Sequence, residues 1–280
     1  MGSPLAAIST SACLLLALSA CTADNSTNVE SAAATSAEHQ TLRIAAAANL
    51  SDVLPNIIDS YQMDSNISNQ DNLDIEVTYA SSGKLYAQIK AGAPYDIFLS
   101  ANQEFPAKLA DNKRDKSVQP FTYARGQLAL YSATKPLNDF TPASLIDAFT
   151  SAHFQDDSKI SIANPDLAPY GASAKAYLQS QKLYDKLSAQ KNLIQAENIG
   201  QAFQYAHTGS VDYGFVAQSQ LVAIKAKPEQ FMTLPKASYP AILQDGIIIN
   251  NTVPAAAFAD YLRSDAGQQH FAQAGYLPIQ

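Results

Sequence analysis

From Thr41 onward, short unbroken apolar runs alternate with longer segments whose apolar residues recur at helical intervals. The run Thr41–Ala48 (TLRIAAAA) has the length and character of a buried strand, and in Asn49–Met63 the residues Leu50, Val53, Leu54, Ile57, Ile58 and Tyr61 keep helical spacing. Pro55 falls near the first turn of that helix, where a missing N–H costs least. Ile75, Val77 and Tyr79 alternate as a strand, Leu85 and Ile89 share one face of a helix over Ser82–Gly92, and Gly92 with Pro94 closes it. Asp96–Ala101 then returns to a buried strand.

The alternation resumes after a charged interval at Asp111–Lys116. Strands are predicted at Gly126–Ser132, Lys159–Asn164, Asn192–Ala196, Asp212–Ala217 and Ala241–Asn250. Helices are predicted at Gly171–Gln181 and Asn198–Gly209, with one long helix over Pro254–Tyr276. Strands alternating with helices imply an α/β fold of mostly parallel sheets flanked by helices. Ligands of such sheets sit beyond the carboxyl ends of the strands.

Composition narrows the chemistry. The chain has 280 residues, 47% of them hydrophobic, long enough for two α/β domains of ordinary size or one large one, with a substantial core. A net charge of −7 argues against nucleic acid, which needs a basic face. The only cysteines are Cys13 and Cys21, so nothing beyond Cys21 can form a disulfide or a thiolate metal site, and the four histidines show no paired spacing. No direct metal ligands and no cofactor are therefore expected. Before Arg43 there is no Lys or Arg, and an apolar stretch ending Leu18-Ser19-Ala20-Cys21 gives way to polar sequence. This predicts a secretion signal over 1–21 and a disordered tether over 22–40. Leu18-Ser19-Ala20-Cys21 resembles a bacterial lipoprotein cleavage box, which would make Cys21 a lipid anchor and the chain's one attachment to a membrane. The positive charge usual before the apolar stretch is missing, and an ordinary signal peptide is the alternative.

The stretch Tyr79–Asn102 (YASSGKLYAQIKAGAPYDIFLSAN) carries the most chemistry. Ser81-x-x-Lys84 has the spacing of a serine nucleophile and its lysine, yet the partner motifs Ser-Asp-Asn and Lys-Thr-Gly are absent from the chain. A phosphate loop fails because Leu85 follows Gly83-Lys84. No catalytic constellation remains, and no enzyme is expected. A serine at a strand-to-helix turn can cap its own helix, or it can join the unpaired N–H groups of the first turn in holding an anion. Recurrence favours the anion: Asn49, Ser82, Tyr170-Gly171 and Asn198-Ile199 all stand at strand-to-helix turns.

Six segments, AAAANLSDVLPNI, YASSGKLYAQIKAGAPYDIFLSAN, APYGASAKAYL, AENIGQAF, GSVDYGFVAQSQ and YPAIL, together resemble the molybdate-binding proteins of bacterial ABC transporters, in the family's order from Thr41 to Gly275. The resemblance implies the two-lobed periplasmic-binding-protein fold with its ligand cleft between lobes, lobe one over 41–122 and 236–280 and lobe two over 123–235. It implies a monomeric, extracytoplasmic protein that captures molybdate, and tungstate with it, for a membrane permease. Carried over by position, Asn49 and Ser82 would be the anion ligands of lobe one, and Tyr170 and the backbone N–H of Ile199 those of lobe two. Some members place a tyrosine hydroxyl where this chain has Ala217, and Tyr170 is a candidate to supply it from another direction.

Several helix N-termini, each worth about half a positive charge, would offset a dianion without a contacting Lys or Arg. Lys84 is accordingly read as a solvated bystander. A site of donors alone would disfavour phosphate, whose proton needs an acceptor, whereas sulfate would have to be excluded by size. The alternatives are another tetrahedral oxyanion such as sulfate, or a sensor or interaction module on the same fold. Hinges are expected at Tyr123–Gly126 and Leu234–Tyr239.

Overall fold

The computed structural model describes residues 40–64, 73–112, 119–137, 141, 149 and 158–279. The expected signal peptide, Cys21 and nearly all of the tether lie outside them; Gln40, the tether's last residue, opens the first strand.

In chain order the strands are β1 Gln40–Ala47, β2 Leu73–Ala80, β3 Ile97–Leu99, β4 Phe121–Gly126, β5 Leu128–Tyr131, β6 Ile160–Ala163, β7 Leu193–Ala196, β8 Tyr213–Ala217, β9 Phe231–Thr233 and β10 Ile242–Ile248. The helices are α1 Leu54–Met63, α2 Ser82–Lys90, α3 Glu104–Asn112, α4 Pro169–Ser180, α5 Tyr184–Ala189, α6 Ile199–His207, α7 Gln218–Ala223, α8 Val253–Arg263 and α9 Asp265–Gln273. Two five-stranded sheets result, ordered β2-β1-β3-β10-β4 and β7-β6-β8-β5-β9, each the centre of one lobe.

Burial follows position in the sheet. β1 lies between β2 and β3, and its unbroken apolar run from Ile44 to Ala47 is buried throughout. β2 is an edge strand, and its residues from Asp74 to Tyr79 alternate between exposed and half-buried. α1 turns Leu54, Ile57 and Tyr61 into the first core, where the Tyr61 ring meets Phe258 edge-on at 5.0 Å. Each such side chain contributes roughly 1.5–3 kcal/mol by burial. Leu130, Ile162, Tyr177 and Phe215 anchor the core around the second sheet.

Parallel pairing holds for β1 with β2 and β3, and for β6 with β7 and β8. The strands at the two crossings between sheets pair antiparallel instead: β10 with β3 and β4, and β5 with β8 and β9. Sequence periodicity alone did not separate these, because antiparallel neighbours need no helical crossover. Gln127 alone separates β4 of the first sheet from β5 of the second. The passage between sheets therefore falls at Gln127 rather than at 122/123, because Phe121–Gly126 belongs to the first sheet, paired to β10 on both sides of a register shift at Tyr123. The return runs between β9 and β10, where the Tyr239 hydroxyl accepts from the Leu128 N–H at 3.0 Å and ties the two crossings together.

Two predicted helices are divided. The segment from Asn49 begins with a single 3-10 turn, Ala48–Leu50, and α1 starts only at Leu54, with Pro55 in its first turn. A proline there has no N–H to give and its ring bars the preceding turn from continuing the helix. The C-terminal helix breaks at Ser264, which is extended (φ −68°, ψ 163°) and caps α9 by accepting from the Gly267 N–H at 3.2 Å.

Candidate functional site

One cavity lies between the lobes, at the carboxyl ends of the parallel strands. Its walls are the turn after β1 (Ala47–Asn49), the turn from β2 into α2 (Ala80–Ser82), Ala101 after β3, the start of α4 (Ala168–Tyr170) and the start of α6 (Asn198, Ile199). Alanines fill most of the remaining wall, and small side chains let backbone approach the space directly. The cavity has a volume of about 10 Å³, room for roughly one water-sized group and far below the roughly 300–1,000 Å³ of pockets for drug-sized molecules. Among the described residues no Asp, Glu, Lys, Arg or His side chain lines it.

The cavity brings together all four residues singled out by position. Ser82 opens α2, is buried, and its Oγ accepts from the Ala101 N–H at 2.9 Å, which leaves the hydroxyl hydrogen to donate elsewhere. Tyr170 lies in the first turn of α4 and Ile199 is the first residue of α6, so neither N–H has an acceptor within its own helix. Asn198 caps α6 by accepting from Gln201 N–H at 3.0 Å, and the Gln201 side chain accepts in return from Glu197 N–H at 2.7 Å. Gln220, buried, accepts from the Ala217 N–H at 3.0 Å and donates to the Ile199 carbonyl at 3.2 Å, which fixes the peptide that follows Ile199.

Asn49 is placed differently from a plain donor. Its Nδ2 gives both hydrogens away, to Gln244 Oε1 at 3.0 Å and to the Tyr276 hydroxyl at 2.9 Å. Its Oδ1 is buried without a partner among the described residues. The site in this arrangement is thus not made of donors alone.

The Tyr170 hydroxyl accepts from Gln244 Nε2 at 3.2 Å. Burial pushes the Tyr170 phenol well above its ordinary range, and that of Tyr276 up to about 12, so both stay protonated. Ala217, where some relatives by resemblance carry a hydroxyl, is a buried residue that caps α7 through its backbone.

Sequence reading left three participants unassigned. Ser81 lines the cavity with a buried Oγ that has no partner among the described residues. Gln244 and Tyr276 hold Asn49 from behind. Gln244 carried a signal, since it is a polar residue inside the apolar strand AILQDGIII. Lys84, read as a bystander, pairs with Glu197 across the cleft, because the starts of α2 and α6 face each other there. The Gly83 N–H likewise donates across the cleft to the Leu167 carbonyl at 2.8 Å.

Two lobes joined by two crossings, with a small uncharged cavity where helix N-termini converge between them, define a periplasmic-type solute-binding protein. The chain matches the bacterial extracellular solute-binding protein family over residues 42–277 and belongs to it; this is a binding family and not an enzyme family. It is 34% identical over 206 residues to the molybdate-binding protein of Rhodobacter capsulatus, covering 72% of this chain and 77% of that one. It is 30% identical over 248 residues to the molybdate-binding protein of Azotobacter vinelandii, covering 87% and 92%. The solved structure of the Azotobacter vinelandii periplasmic molybdate-binding protein superposes with a TM-score of 0.74 at 30% identity, covering 85% of this chain and all of that one.

Proposed function

We propose that the cavity captures molybdate, and tungstate with it, outside the cytoplasm and presents it to the permease of an ABC transporter. The observation that carries this is the convergence of three helix starts and two serine hydroxyls on one small cavity without a charged side chain. Such an arrangement suits a compact anion better than a cation or an extended organic solute. Three N-termini supply about one and a half units of positive charge, close to what a dianion needs. Ser82 donates through its hydroxyl, Tyr170 and Ile199 through first-turn N–H groups, and Ser81 has an unpaired hydroxyl to add. The kinship with molybdate-binding proteins supports the choice of ion.

On this reading the protein works as a monomer, tethered through a lipid on Cys21. Binding draws the lobes together about Gln127 and the segment between β9 and β10, and the closed rim is what the permease reads. A protonated oxyanion is a second reading, favoured by the unpaired acceptor on Asn49.

Calorimetry with molybdate, tungstate, sulfate and phosphate tests both. Tight molybdate and tungstate with weak sulfate and phosphate is the expected result. A sulfate preference would change the assigned ion, and no heat from any of the four would end the oxyanion reading. Scattering should show compaction on saturation with molybdate, and an unchanged radius would remove lobe closure.

A further inference from the structure

We propose that Gln244 is the positioning residue of the cleft: it joins Tyr170 of one lobe to Asn49 of the other and sets which end of the Asn49 carboxamide faces the cavity. This rests on the oxyanion reading above and deepens it.

Gln244 is fully buried on β10, where the register against β4 slips between Gln244 and Asp245. Its Oε1 accepts from Asn49 Nδ2 at 3.0 Å and lies 3.2 Å from the Tyr123 hydroxyl oxygen, and its Nε2 donates to the Tyr170 hydroxyl at 3.2 Å. Asn49 and Tyr123 belong to the first lobe, whereas Tyr170 opens α4 of the second. Gly126 makes the meeting possible, since a Cβ there would stand 2.1 Å from the Tyr170 oxygen and 2.8 Å from Gln244 Nε2.

With both Nδ2 hydrogens committed, the end of Asn49 left over is the unpaired Oδ1. A fully ionised oxyanion carries only acceptors and is repelled by it. Asn49 cannot turn over by itself, because its Oδ1 would then meet Gln244 Oε1 at the present 3.0 Å separation. A half-turn of both carboxamides together keeps the links of Asn49 to Gln244 and Tyr276 and of Gln244 to Tyr170, and gives up one bond, that from Tyr276 to the Asn49 carbonyl. Gln244 Nε2 then donates to Asn49 Oδ1 and to Tyr123, whose own hydrogen already goes to the Ser100 carbonyl at 2.9 Å. The Tyr276 hydroxyl shifts from the Asn49 carbonyl to Asn49 Oδ1, and Ser219 remains 3.5 Å from that carbonyl. Tyr170 changes from acceptor to donor toward Gln244 Oε1, and Asn49 turns its N–H groups to the anion.

The arrival of Tyr170 on lobe closure and the presentation of donors by Asn49 are therefore one event, linked through Gln244. The unturned arrangement fits an oxyanion that keeps a proton, and the turned one a fully ionised ion.

The test is a double-mutant cycle on the full protein, Gln244→Met, Tyr170→Phe and the pair, titrated with molybdate and with inorganic phosphate. Each single change should weaken molybdate binding roughly tenfold, and the pair should lose no more than about threefold beyond either, since both break one linkage. The preference for molybdate over phosphate should fall at least about fivefold in Gln244→Met and in Tyr170→Phe, an effect that altered packing would not produce. Tyr170→Phe carries that ratio alone if Gln244→Met does not fold. Losses that multiply would overturn the proposal by placing the Tyr170 hydroxyl on the anion itself. So would an unchanged ratio. If the unmodified protein takes up neither ion, the oxyanion reading falls and this proposal with it; if it binds molybdate and the variants bind equally well, only this proposal falls.

Discussion

The two walls of the cleft offer donors by different means. On the first-lobe wall side chains join the start of α2 at the cavity: the hydroxyls of Ser81 and Ser82 and the carboxamide of Asn49, all buried. On the second-lobe wall the polar side chains are engaged elsewhere, Tyr170 with Gln244 and Asn198 with the Gln201 N–H. What that wall can give the cavity is main chain, the first-turn N–H groups of α4 and α6. A side-chain donor can be deleted with the fold intact. A main-chain donor can only be displaced, by moving the helix that carries it.

The largest effect is therefore expected from a residue with no polar side chain at all. A Cβ on Gly171 would lie 2.1 Å from the Ala163 carbonyl oxygen and 2.6 Å from its carbon, both backbone atoms of β6 that have nowhere to go. Gly171→Ala must push the start of α4 away from the sheet and carry the Tyr170 N–H with it. We expect a stability loss of about 2–3 kcal/mol in denaturant titrations. Affinity for molybdate should drop by roughly tenfold to a hundredfold, the cost of a misplaced charge-assisted hydrogen bond. Wild-type affinity in this variant would mean that α4 does not contribute to the site.

Ser82→Ala against Ile199→Ala sharpens the contrast between walls. Removing the Ser82 hydroxyl deletes a donor and leaves the Ala101 N–H unpaired, so affinity should fall roughly tenfold or more and stability by about 1–3 kcal/mol. Truncating Ile199, a buried member of the second core, should cost about 2 kcal/mol or more of stability. Affinity should nonetheless change by less than about threefold, because its N–H survives. Calorimetry showing equal affinity losses in the two variants would break the division into side-chain and main-chain walls.

That division also explains how much was readable beforehand. The alternation of buried runs and helical spacing located β1, β2, α2, α4 and α6, and with them the turns that carry Asn49, Ser82, Tyr170 and Ile199. Helix starts are local features, written in the residues that form them. The residues holding Asn49 are not local: Gln244 and Tyr276 lie 195 and 227 positions away along the chain. Only the folded return strand and the C-terminal segment bring them behind the cavity. Strand β4 escaped notice for a related reason, because Phe121–Gly126 borrows its order from β10. The rim pair of Lys84 and Glu197 needed both lobes in place before it could be seen.

A smaller effect is expected from pH. Burial is the largest cause raising the phenols of Tyr123 and Tyr170 well above 10.0 and that of Tyr276 to about 12. The folded protein thus holds these protons more tightly than the unfolded chain, whose phenols ionise near 10. Stability from this source is complete below about pH 10 and is lost as pH rises from there through the raised folded values. Molybdate affinity should stay level from about pH 7 to 9.5, with melting temperatures declining only above that range. A drop in affinity centred below pH 9 would show that a group other than these tyrosines controls the site.

The smallest expected effect belongs to the rim, where the walls meet by charge instead of through the cavity. Lys84 and Glu197 are half exposed, at 50% and 45% of their side-chain surface, and join the start of α2 to the residue before the cap of α6. Water screens such a pair, which is worth about 0–1 kcal/mol. It spans the cleft, so its contribution should appear in ligand affinity and not in the stability of either lobe. Lys84→Ala should weaken molybdate binding by about twofold to fivefold at low salt, and the difference should vanish at about 1 M salt, where the screening length is near 3 Å. Glu197→Gln should do the same, and combining the two should add nothing, since one interaction is lost either way. A loss of tenfold or more that persists in high salt would place the Lys84 ammonium against the anion itself, and the first-lobe wall would then owe its hold on the ligand to a full charge.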